Sequence, residues 1–232
     1  MDEIQQRWLC ALSAPMVALN PRAEYDEPAF YAAPQFIDLQ CSWGINDRPQ
    51  LLSMFKRMTD NGHARHLHGA YHAWQRCLPG EWQALLETLE PRERTLHEFA
   101  GRTFGECGPG GILSWDYGRM GFLLRCAVRN EWIDLTESTW LHGRLAVRAQ
   151  YHYSSWKSYF NGFLIGRGFW GSENEGDDTF AFELDRQGEQ SNSVQIARGL
   201  QQNMPVFLHN LPWHLELDLP QRPASLEEFD WS

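Results

Sequence analysis

Between Trp115 and Trp170 apolar residues recur at three- and four-residue spacing, and this block restricts the fold more than any other feature of the chain. On a helix that begins at Leu113, Trp115, Arg119, Phe122 and Cys126 fall on one stripe. Asp116, Met120, Leu123 and Ala127 fall on the adjacent stripe, and Ser114, Gly118, Arg125 and Arg129 on the opposite face. The pattern predicts three consecutive helices, near Leu113–Arg129, Leu135–Gln150 and Ser154–Gly168, as a central block over 113–168. Asp134 with Glu137 three residues on fits a capping box for the second helix. In the third, Gly162 and Gly166 are four apart and admit a neighbouring helix at close range.

The flanks read as further helices. Ile4, Trp8, Leu9 and Leu12 predict a short one that stops before Pro15. A loop-like stretch with Pro21, Pro28 and Pro34 follows. Asn46 or Asp47 as N-cap, Pro49 in the first turn and Asn61-Gly62 as the stop delimit the next helix. A histidine-rich helix from about Ala64 to Cys77 precedes a break at Pro79-Gly80, and two more helical stretches cover 82–89 and 93–104. Beyond Trp170, Phe180, Phe182 and Leu184 alternate with polar neighbours, as do Leu215, Leu217 and Leu219. That period of two predicts a small two-stranded β element, with a helix near Val194–Asn203 between the strands. The expected architecture is mainly α: a compact multi-helix single domain over 1–219, then a frayed acidic C-terminal tail over 220–232 in which Phe229 and Trp231 could dock.

A chain of 232 residues buries roughly 70% of the surface its unfolded form exposes, so it needs no metal or disulfide to support a core. Eleven tryptophans imply an aromatic core, or rings turned toward a partner, with the core as the default. The net charge of −10 disfavours phosphate backbones and anionic lipid and suits a partner protein with a basic surface. Cys10, Cys41, Cys77, Cys107 and Cys126 are odd in number and scattered, which fits reduced thiols in the cytosol. An acidic N-terminus and the lack of any run of ~18 apolar residues also point to a cytoplasmic protein.

Asp116 and Arg119 lie three residues apart on the apolar side of the first central helix, where a charge must be paired. They read either as a structural ion pair or as an acid/base beside an anion-clamping arginine. Arg144 shares a stripe with Trp140, Val147 and Tyr151, and stacking on indole explains a cation there. The catalytic candidates are therefore Asp116, Arg119 and Arg144. The binding candidates are Trp115, Trp140, Trp156, Arg167 and Trp170.

Other chemistries find less support. His68 and His72 are four apart and could face one metal ion, but a ligand as distant as His97 would have to complete the site. No G-x-S-x-G elbow is present, and Gly108-Pro109-Gly110-Gly111 lacks the Gly-Lys-Ser/Thr of a phosphate loop. No cofactor is expected.

Ser114-Trp115-Asp116-x-x-Arg119, then Trp156, Tyr159, Gly162, and Gly166-Arg167-x-Phe169-Trp170, resemble the bacterial family of unknown function DUF1266. Leu51–Met58 with Asn61-Gly62-His63, and Leu211-Pro212-Trp213, fit the same pattern, so the resemblance spans roughly Trp8 to Trp213. It implies a bacterial context and brings no activity. The residues themselves favour a non-catalytic protein-binding or regulatory module of immunity or adaptor type. The alternative is a hydrolase or transferase using Asp116 as acid/base with Arg119 or Arg144 as anion clamp.

Overall fold

A computed structural model describes residues 2–186 and 191–229. Their regular structure is helical throughout: α1 (Glu3–Ala11), α2 (Ala14–Ala18), α3 (Gln40–Trp43), α4 (Arg48–Asn61), α5 (Arg65–Arg76) and α6 (Pro79–Thr88) lead to α7 (Pro91–Cys107). The predicted central block follows as α8 (Leu113–Arg129), α9 (Leu135–His152) and α10 (Trp156–Ser172), and α11 (Asp177–Arg186) and α12 (Ser191–Phe207) complete the set.

The helix ends follow local chemistry. Asp47 caps α4 by accepting the Gln50 N–H, with proline in the first turn. Asp134 and Glu137 form the expected capping box on α9, each side chain bonding the other's backbone. Pro79 opens α6 rather than only ending α5.

Helix α8 is the axis of the molecule. From Ser114 to Ala127 every residue except Arg119 is buried, so the face expected opposite the apolar stripes is not a solvent face. Arg125, on that face, is 0% exposed. Its guanidinium donates to the carbonyls of Glu24 and Glu27 and to Ser13 Oγ, pinning the 24–30 loop against the core. Gly162 and Gly166 let α10 lie directly on α8: a Cβ at Gly166 would sit 2.4 Å from the Trp115 Cβ.

The tryptophan surplus is largely a core feature. Trp8, Trp156 and Trp213 form a mutual nest with centroids 4.7–5.4 Å apart. Their indole N–H groups donate to the carbonyls of Pro212 and Trp213, of Leu211 and of Tyr153 respectively. Each buried ring thus keeps its polar edge satisfied. A smaller cluster joins Leu67, Tyr71, Phe99, Phe169, Phe180 and Leu184 across α5, α7, α10 and α11.

Two expectations are corrected. No strand occurs among the described residues, and Phe180 to Leu184 lie in α11. Phe180 and Leu184 are buried four apart on one helical face, while Phe182 is 60% exposed, so the alternation was a coincidence of a short window. Residues 214–219 run irregularly, with Gln150 Nε2 donating to the carbonyls of Trp213 and Leu215. The tail does not fray over its described part. Leu226 is 1% exposed, and Ser225 Oγ donates to Glu137 Oε1 at 2.5 Å beside the Arg48–Glu137 ion pair at 2.6 Å. Phe229 packs on the core, and Trp231 lies outside the described residues.

All five cysteines are free. No helix among the described residues is long and apolar enough to cross a membrane.

Candidate functional site

Helix α4 ends at Asn61, and the chain turns through Gly62 and His63 into α5, whose N-cap residue Ala64 offers no side-chain oxygen to the helix start. The missing acceptor comes from α8. Asp116 Oδ1 accepts the His63 backbone N–H at 3.2 Å and Oδ2 accepts that of Ala64 at 2.9 Å. The carboxylate thereby caps a helix from which it is distant in sequence, at the positive end of that helix's dipole. Gly62 makes the approach feasible, since a Cβ there would lie 2.2 Å from Asp116 Oδ2. Asp116 is 1% exposed, and burial raises its carboxyl above the ordinary range, opposed by the two amides and by the Arg119 guanidinium.

Arg119 stands beside this cap with its side chain 11% exposed. Its Nη1 is 3.8 Å from Asp116 Oδ1, an ionic contact rather than a hydrogen bond. The guanidinium carbon lies 4.6 Å from the Trp115 ring centroid and 4.9 Å from that of Trp43, between two indoles contributed by α8 and α3. Burial lowers its pKa to about 10, and the charges of Arg57 and Arg167 push the same way against Asp116 and Glu173. Arg167 lies over Trp170, which is 41% exposed and 5.8 Å from Trp115. Glu173 is held by His63 Nδ1 at 2.7 Å and His66 Nε2 at 3.2 Å, and the His63 bond is the largest cause that lowers its carboxyl. Arg119 Nη1 and the Trp115 indole Nε1 are both buried without a hydrogen-bond partner among the described residues. Unpaired buried donors are uncommon in folded proteins and each calls for an explanation.

The structure therefore gathers Trp115, Asp116, Arg119, Arg167 and Trp170 into one place and leaves the other candidates elsewhere. Arg144 lies over Trp140, 5.8 Å from its centroid, and Arg222 lies over the same ring at 5.5 Å, so this pair belongs to the docking of the C-terminal segment. Trp156 belongs to the indole nest of the core. His68 and His72 are exposed on α5. His97 instead packs on Trp82 at 5.8 Å and donates from Nδ1 to the Glu93 carbonyl at 2.8 Å. No group of three or more His, Cys, Asp or Glu among the described residues is placed to hold a metal ion.

Sequence reading gave no site role to Trp43, Arg57 and Gly62, which come from α3, α4 and the turn after it, or to Glu173 at the end of α10. Of these only Gly62 carried a local mark, in the stop signal Asn61-Gly62 and in the family-like Asn61-Gly62-His63. Chemically the site offers stacked and clustered guanidinium groups and indole faces, with its one deeply buried carboxylate already engaged by backbone amides. That set suits recognition of an anionic or planar group.

A family model described as "Protein of unknown function (DUF1266)" matches residues 38–213. The chain is 38% identical over 231 residues to "Uncharacterized protein YbeU" of Escherichia coli strain K12, covering 98% of each chain. It is 43% identical over 177 residues to "Uncharacterized protein YbeR" of the same organism, covering 75% of each. No solved structure matches the chain.

Proposed function

The chain belongs to the DUF1266 family, and from that premise we propose that it is a non-catalytic protein-binding module of immunity or adaptor type, working in the cytoplasm. Its contact face is the arginine–indole surface formed by Trp43, Trp170, Arg57 and Arg167, laid over the largely buried Trp115 and Arg119. One observation carries this reading: the Arg119 guanidinium lies 4.6 and 4.9 Å from two indole centroids, and its Nη1 makes no hydrogen bond among the described residues, while Asp116, 3.8 Å away, serves α5 as a cap. A pre-positioned guanidinium loses little side-chain entropy when a partner's carboxylate arrives, and arginine and tryptophan are the residues that dominate protein interfaces. The net charge of −10 steers the whole molecule toward a partner of basic surface, and the arginine cluster accepts an acidic anchor within that contact.

The alternative, Asp116 as an acid/base, loses support from its 1% exposure and from the two backbone amides that occupy it. The test is affinity isolation with mild crosslinking from the native bacterium, comparing wild type with the Arg167→Glu, Trp170→Ala double variant. Wild type recovers one partner at near-stoichiometric level and the folded double variant loses it. Absence of a stoichiometric partner, or equal recovery by the variant, overturns the reading.

A further inference from the structure

Helix α12 runs beside α10 and leaves an apolar trough between them. One end is a cavity of about 670 Å³ with Phe99, Leu164, Ile165 and Leu184 in its walls. It continues through Leu164, Ala197 and Gln201 into a second cavity of about 550 Å³ along Phe160, Leu200 and Met204. Each volume lies within the range of roughly 300–1,000 Å³ typical of small-molecule sites. From Lys157 to Gly168 the trough follows about 17 Å of α10, at about 1.5 Å rise per residue.

Its polar groups are few and placed unevenly. Ser193 is 5% exposed and lines the first cavity, with an Oγ that has no hydrogen-bond partner among the described residues. Arg198 lines the same cavity and Lys157 the second, and neither makes a hydrogen bond or ion pair with another described residue. Of the two acids on the walls of the first cavity, Asp185 is bound to Arg102 at 2.7 Å, and Glu106 stands with Arg198 in that cavity while Lys157 lines the other. The trough is thus a long apolar surface with one cation at each end, Arg198 in the first cavity and Lys157 in the second, and one buried hydroxyl without a partner among the described residues.

We propose that this trough binds a free linear fatty carboxylate. The carboxylate lies at the α7–α11 end, where Ser193 Oγ donates to it and Arg198 balances its charge. The aliphatic chain runs over Leu164 and Ala197 toward Leu200 and Met204. Apolar burial along the chain supplies the affinity and the two polar groups fix its direction. The trough shares no residue with the arginine–indole face, so the two readings stand or fall separately.

The experiment is calorimetric titration of the full chain with dodecanoate below its micelle concentration, with dodecylamine and acetate as controls. Dodecanoate binds saturably at one per chain and the controls do not. Ser193→Ala with Arg198→Ala weakens binding at least tenfold, and Ala197→Trp, which fills the shared stretch, abolishes it. Gln201→Trp, from the exposed side of α12, provides a second block if the first variant melts early. Four results overturn the proposal: no saturable binding, more than one ligand per chain, equal binding of dodecylamine, or binding unchanged in a folded blocked variant.

Discussion

The Oδ2 atom of Asp116 accepts the backbone N–H of Ala64 at 2.9 Å, across 52 residues of sequence. This bond joins the central helix α8 to the start of α5, and it determines what the neighbouring arginine is free to do. Because the carboxylate serves the helix terminus, Arg119 keeps only a 3.8 Å ionic contact to it and rests on indole instead. A residue pair that sequence reading leaves open between fold and chemistry divides its labour: the acid caps α5, and the arginine packs on the indoles of Trp43 and Trp115.

Removing the cap is expected to be costly. Asp116→Ala leaves two backbone amides and a largely buried guanidinium without their carboxylate, and it should cost about 3–5 kcal/mol by denaturant unfolding. Asp116→Asn keeps one acceptor and should cost less. Gly62→Ala attacks the same contact from the other side, because its Cβ would overlap the carboxylate. The two losses should be clearly sub-additive in a double-mutant cycle, and full additivity would contradict the shared mechanism.

Arg125 is buried and bonds two carbonyls and a hydroxyl in a fork that lysine cannot reproduce. Arg125→Lys should cost at least about 2 kcal/mol, in line with the ~1.5–3 kcal/mol typical of a hydrogen bond to a charged group. Limited proteolysis should then cut first in the 24–30 loop that this residue pins.

His142 sets an acid limb on stability. Burial lowers its pKa to about 4, and the nearby Arg125 charge adds to this against the bond from Nδ1 to the Ser138 carbonyl at 2.8 Å. The unfolded chain takes up the proton near pH 6.5, whereas the folded protein resists until about pH 4. The unfolded state therefore binds more protons between those values, and stability falls as pH drops through that window by about 3 kcal/mol in all. His142→Leu should flatten the slope of unfolding free energy between pH 6.5 and 4.5, whatever its effect at pH 7.5. An unchanged slope would place the acid sensitivity elsewhere.

The contact face should separate from the fold. Trp170→Ala and Arg167→Glu change exposed or half-buried groups and should leave stability within about 0.5–1 kcal/mol of wild type. Partner affinity should drop by at least tenfold in each, read by titration once the partner is isolated. Trp156→Ala should do the reverse and lower the melting temperature strongly, because it opens the indole nest.

The three central helices were legible because their signals are local: apolar stripes, the Asp134–Glu137 box and the glycine pair of α10 all sit within one element. The β element was misread for the same reason. Phe180, Phe182 and Leu184 satisfy a period of two, yet Phe180 and Leu184 equally satisfy one helical turn, and five residues cannot separate the two. Arg125 was placed on a face away from the apolar stripes, but a helix buried on every side has no such face. At the site, charges on an apolar stripe marked Asp116 and Arg119, and family-like spacing marked Arg167 and Trp170. Gly62, Trp43 and Arg57 come from other segments and Glu173 from the end of α10, and a single sequence carries no information on which segments meet.

The division of labour between Asp116 and Arg119 is tested most directly by amide hydrogen exchange at Ala64 and His63, comparing wild type with Asp116→Asn and Arg119→Ala. The structure predicts protected amides at both positions in wild type and in Arg119→Ala, with protection of Ala64 lost in Asp116→Asn while the α8 amides stay protected. Ala64 exchange that is fast in wild type, or unaffected by Asp116→Asn, would contradict the assignment of Asp116 to the fold.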